Sequence, residues 1–379
     1  MASSHFYTTF PGKQLYIISA LTSNLISLPF YLTYYIFPFN RPCSKWTYNQ
    51  SIRILLGKAF IKYISLTQSG TILTLQPKNE GTRFCTINPA SPTRYQGVST
   101  SNPSIVPEII GGTWYPSPLT PSETATTTNN IKIILHFHGG AYVVGDGRIK
   151  DTGFAAQTFL SHTNATHIFC PQYRLSNDTS GRFPAALQDA VTSYCYLTET
   201  LGIPPENIVV SGDSAGGNLT LTLLRYIHDN PTAGLPHPGC AWLWSAWVDI
   251  GSAMVEEKFR ENSRATTDYV HEKFASWGAQ GLAPLEGTGV QLSDACISYI
   301  GNAFRSSTPL FFSAGECEVL FDDIVRVYGE FTEVGNKTEL QIDGNAVHDI
   351  MLTGHIVGFE EEAVLAVKKA AEFWERCRE

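Results

Sequence analysis

Ile208-Val-Val-Ser-Gly-Asp-Ser-Ala-Gly-Gly-Asn-Leu219 is the stretch that decides how this chain folds. Its apolar opening reads as a buried strand and its close as the first turn of a helix. Ser214 stands between them, at the centre of a Gly-x-Ser-x-Gly pattern. A serine on so sharp a turn needs small neighbours, because a side chain at Gly212 or Gly216 would crowd the turn against adjoining backbone. The same turn sets the N–H of Ala215 and a helix N-terminus beside the hydroxyl, where negative charge develops in acyl transfer. Ser214 is therefore a candidate nucleophile.

Working outward, Ile131 to Phe137 is a nearly continuous apolar run, as expected of a strand covered on both faces. His138-Gly139-Gly140-Ala141 follows it directly. Consecutive glycines after a strand let backbone N–H groups point into a site, so Gly139, Gly140 and Ala215 are the expected oxyanion donors. A phosphate-cradling loop running on through Gly145-Asp-Gly147 lacks the Lys-Ser/Thr ending that such loops carry. Further strand-like runs are expected at 71–75, 84–87, 166–170, 208–211, 240–245, 309–314 and 338–342. Helical patterns are expected at 184–200, 216–229, 320–333 and 360–377. Strands alternating with helices predict a largely parallel sheet with helices on both faces. Residues 251–308 interrupt the alternation and read as an insertion over one edge of the sheet, while 115–130 reads as an exposed Pro/Thr/Ser loop.

These motifs, together with Tyr173-Arg174-Leu175, Phe183-Pro184-Ala185-Ala186 and a downstream acid and histidine, resemble the hormone-sensitive lipase family of α/β-hydrolases. The likeness runs from about 131 to 377 and is nearest to fungal esterase-type members, including their Trp46-Thr-Tyr lead-in. It implies an α/β-hydrolase fold with a mostly parallel eight-stranded sheet, a cap built from the N-terminal helices and an insertion, and serine carboxylester hydrolysis. Ala141 departs from the third glycine of the family's His-Gly-Gly-Gly and narrows the acyl side. The resemblance places the base at His348, on a loop after the strand ending at Ile342, and the orienting acid at Glu318, with Glu316 as competitor. His138 is expected to brace the glycine loop and Asp213 to sit beside the serine in a supporting role. The cluster Trp242, Trp244 and Trp247 is expected to pack in the core, with lining of an acyl pocket as the other option.

The implied reaction is acyl-enzyme chemistry on a bulky apolar ester, such as a natural-product intermediate, with no metal or organic cofactor expected. Acyl transfer or cyclisation by the same triad is the first rival, and a non-catalytic small-molecule receptor the second. Charged residues are 16% of the chain against 43% hydrophobic, and the net charge is −8, which lacks the basic footprint of nucleic-acid binding. The eight cysteines form no Cys-x-x-Cys pair and read as free thiols of a reducing compartment. The chain thus divides into a lead-in, 1–70, and a catalytic domain, 71–379, expected in the cytoplasm or at the endoplasmic reticulum face. The lead-in carries no charge from Gln14 to Asn40 and continues as an amphipathic helix, 46–64. Residues 14–64 are expected to form a cap or, as the alternative, to contact a membrane.

Overall fold

The computed structural model describes residues 6–119 and 131–378. Eight strands form one sheet in the order β1 (Phe84–Ile87), β2 (Ile110–Tyr115), β4 (His167–Gln172), β3 (Ile133–Phe137), β5 (Ile208–Asp213), β6 (Cys240–Trp244), β7 (Leu310–Gly315) and β8 (Thr338–Asp343). β2 runs antiparallel to both of its neighbours, and every pairing from β4 to β8 is parallel. The central strands are buried along their whole length, which is why they read as unbroken apolar runs.

Ten α-helices of five residues or more are described: α1 (Gly12–Tyr34), α2 (Tyr48–Thr67), α3 (Ile149–His162), α4 (Ala185–Cys195), α5 (Ala215–Asp229), α6 (Glu256–Arg260), α7 (Glu272–Leu282), α8 (Phe321–Glu333), α9 (Ile350–Val357) and α10 (Glu360–Arg378). Two apolar cores lie on the two faces of the sheet. One gathers Leu135, Val210 and Leu243 with α4, α5 and α8, the other Ile134, Val209 and Trp242 with α3 and α10.

Several expectations change. Residues 71–75 form no strand; Thr71 donates its N–H to Val143 O at 3.2 Å and accepts from Asn177 Nδ2 at 3.0 Å, laid against the loop after β3. β2 takes the missing place in the sheet. Its Gly111-Gly112 pair hides the strand signal, because rings of neighbouring strands occupy the space of two side chains: a Cβ on Gly111 would meet Phe84 at 2.3 Å, and one on Gly112 would meet Phe169 at 2.2 Å. Tyr115 ends this strand and is buried, and the loop reading beyond residue 119 lies outside the described residues.

The 251–308 segment does not lie over a sheet edge. It joins adjacent β6 and β7, and its Phe259, Val270 and Phe274 cover the C-terminal strand ends above Ser214. In α2 the buried positions are Ser51, Ile54, Ile64, Ser65 and Thr67, whereas the apolar Leu56 and Phe60 are exposed. The inner side of α2 meets the insertion instead: Gly57 approaches Tyr269 Cβ, and Lys58 Nζ donates to Ala265 O.

Candidate active site

Ser214 is held at φ +50°, ψ −113°, on the turn from β5 into α5. The strain of that conformation is borne by the surrounding contacts. Its N–H donates to Trp244 O at 2.8 Å, while its carbonyl accepts from Asn218 at 3.1 Å and Trp247 at 2.9 Å. A Cβ on Gly212 would lie 2.1 Å from Gly216 O, and one on Gly216 would lie 1.9 Å from Phe137 O. Both glycines are required by backbone approach, the reason the sequence suggested.

His348 reaches Ser214 from the loop between β8 and α9. Its Nε2 is 2.9 Å from Ser214 Oγ, and its Nδ1 is 2.7 Å from Glu318 Oε2. Glu318 is fully buried, and its other oxygen accepts the Gly315 N–H at 2.8 Å. Glu316 is exposed and instead holds the Asn345 N–H at 3.0 Å. Burial opposes a charge on His348, but the hydrogen bond and charge of Glu318, with the charges of Asp268 and Asp213, outweigh it. The imidazole pKa therefore lies above its ordinary value.

The glycine loop differs from expectation in one donor. The Gly139 N–H donates to Asp213 Oδ2 at 2.7 Å and is not free to face a substrate. Among the described hydrogen bonds, the amides of Gly140, Ala141 and Ala215 have no acceptor within the protein. Ala215 is the first residue of α5, where helix geometry leaves the N–H unpaired. Gly140, Ala141 and Tyr142 all take positive φ, +110°, +52° and +62°, so the chain bends sharply after β3. His138 braces this loop: its Nδ1 is 2.7 Å from Gly139 O, and its ring stacks on Tyr173, whose hydroxyl donates to His138 O at 2.6 Å. Burial lowers the His138 pKa to about 4, so the ring is neutral.

Two aspartates that sequence reasoning missed complete the surroundings. Asp349, next to the base, is hydrogen-bonded to Asp213, and a Cβ on Gly139 would lie 2.4 Å from Asp213 Oδ2 and 2.9 Å from Asp349 Oδ2. Both carboxyls are buried, and two adjacent carboxylates cannot both ionise there. Burial and then the charge of Asp213 push the Asp349 pKa well above the carboxyl range. Asp213 keeps its charge: burial opposes it, but His136, at 3.1 Å, and the proton on Asp349 prevail. Asp268, on the insertion, accepts from Tyr269 N at 2.7 Å, Val319 N at 2.8 Å and His348 N at 3.4 Å. It thereby ties the covering segment to both the acid loop and the base loop. Neither aspartate belongs to a motif; each is recognisable only once the loops are brought together.

Above Ser214 and His348 lies a small pocket walled by Trp247, Phe259, Val270, Phe274, Ala275 and Leu320. The tryptophan cluster is therefore divided. Trp242 and Trp244 pack in the core around Phe159, and Trp247 lines the pocket.

A family model described as alpha/beta hydrolase fold matches residues 134–352, from the strand before the glycine loop to just beyond His348. The chain belongs to the α/β-hydrolase family. This α/β-hydrolase is 29% identical to an acetyl-hydrolase of Streptomyces hygroscopicus over 197 residues, 51% of this chain and 59% of that protein. It is 24% identical to an ethyl acetate hydrolase of Pseudomonas putida over 250 residues, 63% of this chain and 72% of the other. The match thus spans little more than half the length of the first of these relatives. Among solved structures, an esterase from the bacterial hormone-sensitive lipase family superposes with a TM-score of 0.59 at 18% identity, covering 86% of this chain and 99% of that one. The α/β-hydrolase membership that the motifs implied is met, and further relatives bear the names esterase, arylesterase and carboxylesterase.

Proposed function

We propose that this α/β-hydrolase is a serine carboxylester hydrolase. His348 Nε2 accepts the Ser214 Oγ proton as Oγ bonds to the ester carbonyl carbon, and Glu318 fixes the imidazole orientation and stabilises the imidazolium. The N–H groups of Ala215, Gly140 and Ala141 receive the developing oxyanion, each worth roughly 3–4 kcal/mol of transition-state stabilisation. His348 then returns the proton to the leaving alcohol, and water resolves the acyl-enzyme by the same relay. The observation that carries this reading is the unbroken chain of short contacts, 2.9 Å and 2.7 Å, from Ser214 through His348 to Glu318.

The substrate we infer is an apolar ester with a short acyl group, of the size of a natural-product intermediate. The pocket offers aromatic and aliphatic walls with no ionisable side chain besides the base His348. Ala141 sits on the oxyanion loop with its Cβ 2.8 Å from the position a Gly278 Cβ would take, so the insertion closes tightly there. The names acetyl-hydrolase and ethyl acetate hydrolase of the two relatives agree with a short acyl group. Hydrolysis of p-nitrophenyl acetate, butyrate and decanoate tests this: kcat/KM is expected to peak at two or four carbons and to vanish in Ser214→Ala. A peak at ten carbons rejects the short acyl group, and acylated or cyclised product without water incorporation rejects net hydrolysis.

A further inference from the structure

α1 leaves most of its large apolar side chains outward. Leu15, Ile18, Leu21, Leu25, Ile26 and Phe30 are 56–74% exposed, whereas the half-buried side includes Tyr16, Ile17, Ala20, Ser27 and Leu28. Gly12 is the sole buried residue of its 23. Water is a poor environment for this face, and soluble monomers seldom expose a contiguous apolar patch of more than a few hundred Å².

We propose that the outward face of α1 lies in a lipid bilayer, in the plane of its surface, and docks the whole molecule there. Three features favour lipid over a protein partner. The apolar row runs the full helix, about 34 Å at 1.5 Å per residue, and extends into Phe10 before it and Phe37 and Phe39 after it, all exposed. From Gln14 to Asn40 the segment carries no charge, and its exposed polar side chains, Thr22, Ser23 and Asn24 among them, are uncharged. On the exposed side, Thr33 Oγ1 donates to Pro29 O at 3.0 Å, which turns that hydroxyl away from an apolar solvent.

The helix is long and apolar enough to cross a membrane, but it is tied alongside α2 at both ends. Lys13 Nζ donates to Thr67 O and Ser69 Oγ, each at 3.4 Å, and Tyr48 Oη donates to Leu32 O at 3.0 Å. It therefore lies flat.

Flotation of the full chain with phosphatidylcholine vesicles in a density gradient tests the docking without reference to catalysis. The protein is expected to rise with the vesicles equally at 0.1 M and 1 M salt, because the face is uncharged. The triple variant Leu21→Glu/Leu25→Glu/Ile26→Glu is expected to stay at the bottom, at least tenfold depleted from the lipid fraction, with an unchanged Tm since these side chains are mostly exposed. An alkaline carbonate wash should strip the bound protein. Failure of the parent chain to float, equal flotation of the variant, a lipid-independent dimer that the variant dissociates, or retention through carbonate would each overturn the proposal.

Discussion

Glu318 and Glu316 are two residues apart on one loop, and burial separates their roles. Glu318→Gln is expected to lower kcat by about 10³–10⁴-fold with KM little changed, because the amide no longer stabilises the imidazolium. Glu316→Gln, on the exposed side of the loop, should cost less than threefold. The pH profile gives an independent sign. His348 must be neutral to accept the Ser214 proton, and its pKa is raised, so the acid limb of kcat/KM should fall above the ordinary imidazole value of about 6.5. In Glu318→Gln the limb should move to lower pH as the plateau drops. An unmoved limb would separate Glu318 from the base. The Asp213–Asp349 pair makes a second residue-level prediction, on stability. From the ordinary carboxyl range up to the raised Asp349 value, the folded pair keeps one proton that the unfolded chain has released. Stability therefore falls as pH rises through that window, by at most about 1.4 kcal/mol per unit. Asn at 349 can still donate to Asp213 and accept from Leu352 N, without titrating. The Tm advantage of Asp349→Asn over the parent should widen from pH 5 to pH 8; a constant difference would remove the shared proton.

At the scale of elements, what was legible in the sequence was whatever a single segment specifies. The β5–Ser214–α5 turn and the His138–Ala141 loop announce themselves because backbone approach dictates glycine at fixed offsets. Relations between segments were not legible. Gly139 reads as a free donor until Asp213, on the next strand, is seen taking its amide. β2 was hidden because its glycines borrow their packing from Phe84 and Phe169. The 251–308 insertion gives no periodic signal, yet it holds the triad loops through Asp268. Asp268→Asn should therefore act at a distance from the substrate. An amide can accept at only one of its two former acceptor positions, leaving a buried N–H of Val319, or those of Tyr269 and His348, unpaired at about 1–3 kcal/mol. The expected result is a lower Tm and a fall in kcat that exceeds any rise in KM, measured on p-nitrophenyl acetate. A KM effect alone would make the insertion a lid without influence on the triad.

For the molecule as a whole, the hydrolase body and the α1 segment make nearly independent demands. The body begins to be fixed at Trp46, which is buried and donates its indole N–H to Asn345 O at 2.7 Å, two residues before the β8–α9 loop reaches Val347 and His348. Of the two lead-in helices, α2 buries five residues and meets the insertion, whereas α1 buries a single residue. Removal of residues 1–40 should leave Tm within about 3 °C and the rate on a soluble short-chain ester within twofold, checked by thermal unfolding and initial rates. Loss of the fold would return α1 to the core architecture.

The central claim is that Ser214 is a nucleophile activated through His348, and the most direct measurement is covalent. Incubated with a fluorophosphonate, the protein should gain one adduct by intact-mass spectrometry, located on Ser214 by peptide mapping. His348→Ala should slow the labelling by at least 10³-fold at an unchanged Tm. Labelling at another residue, or at an undiminished rate in His348→Ala, would contradict the account.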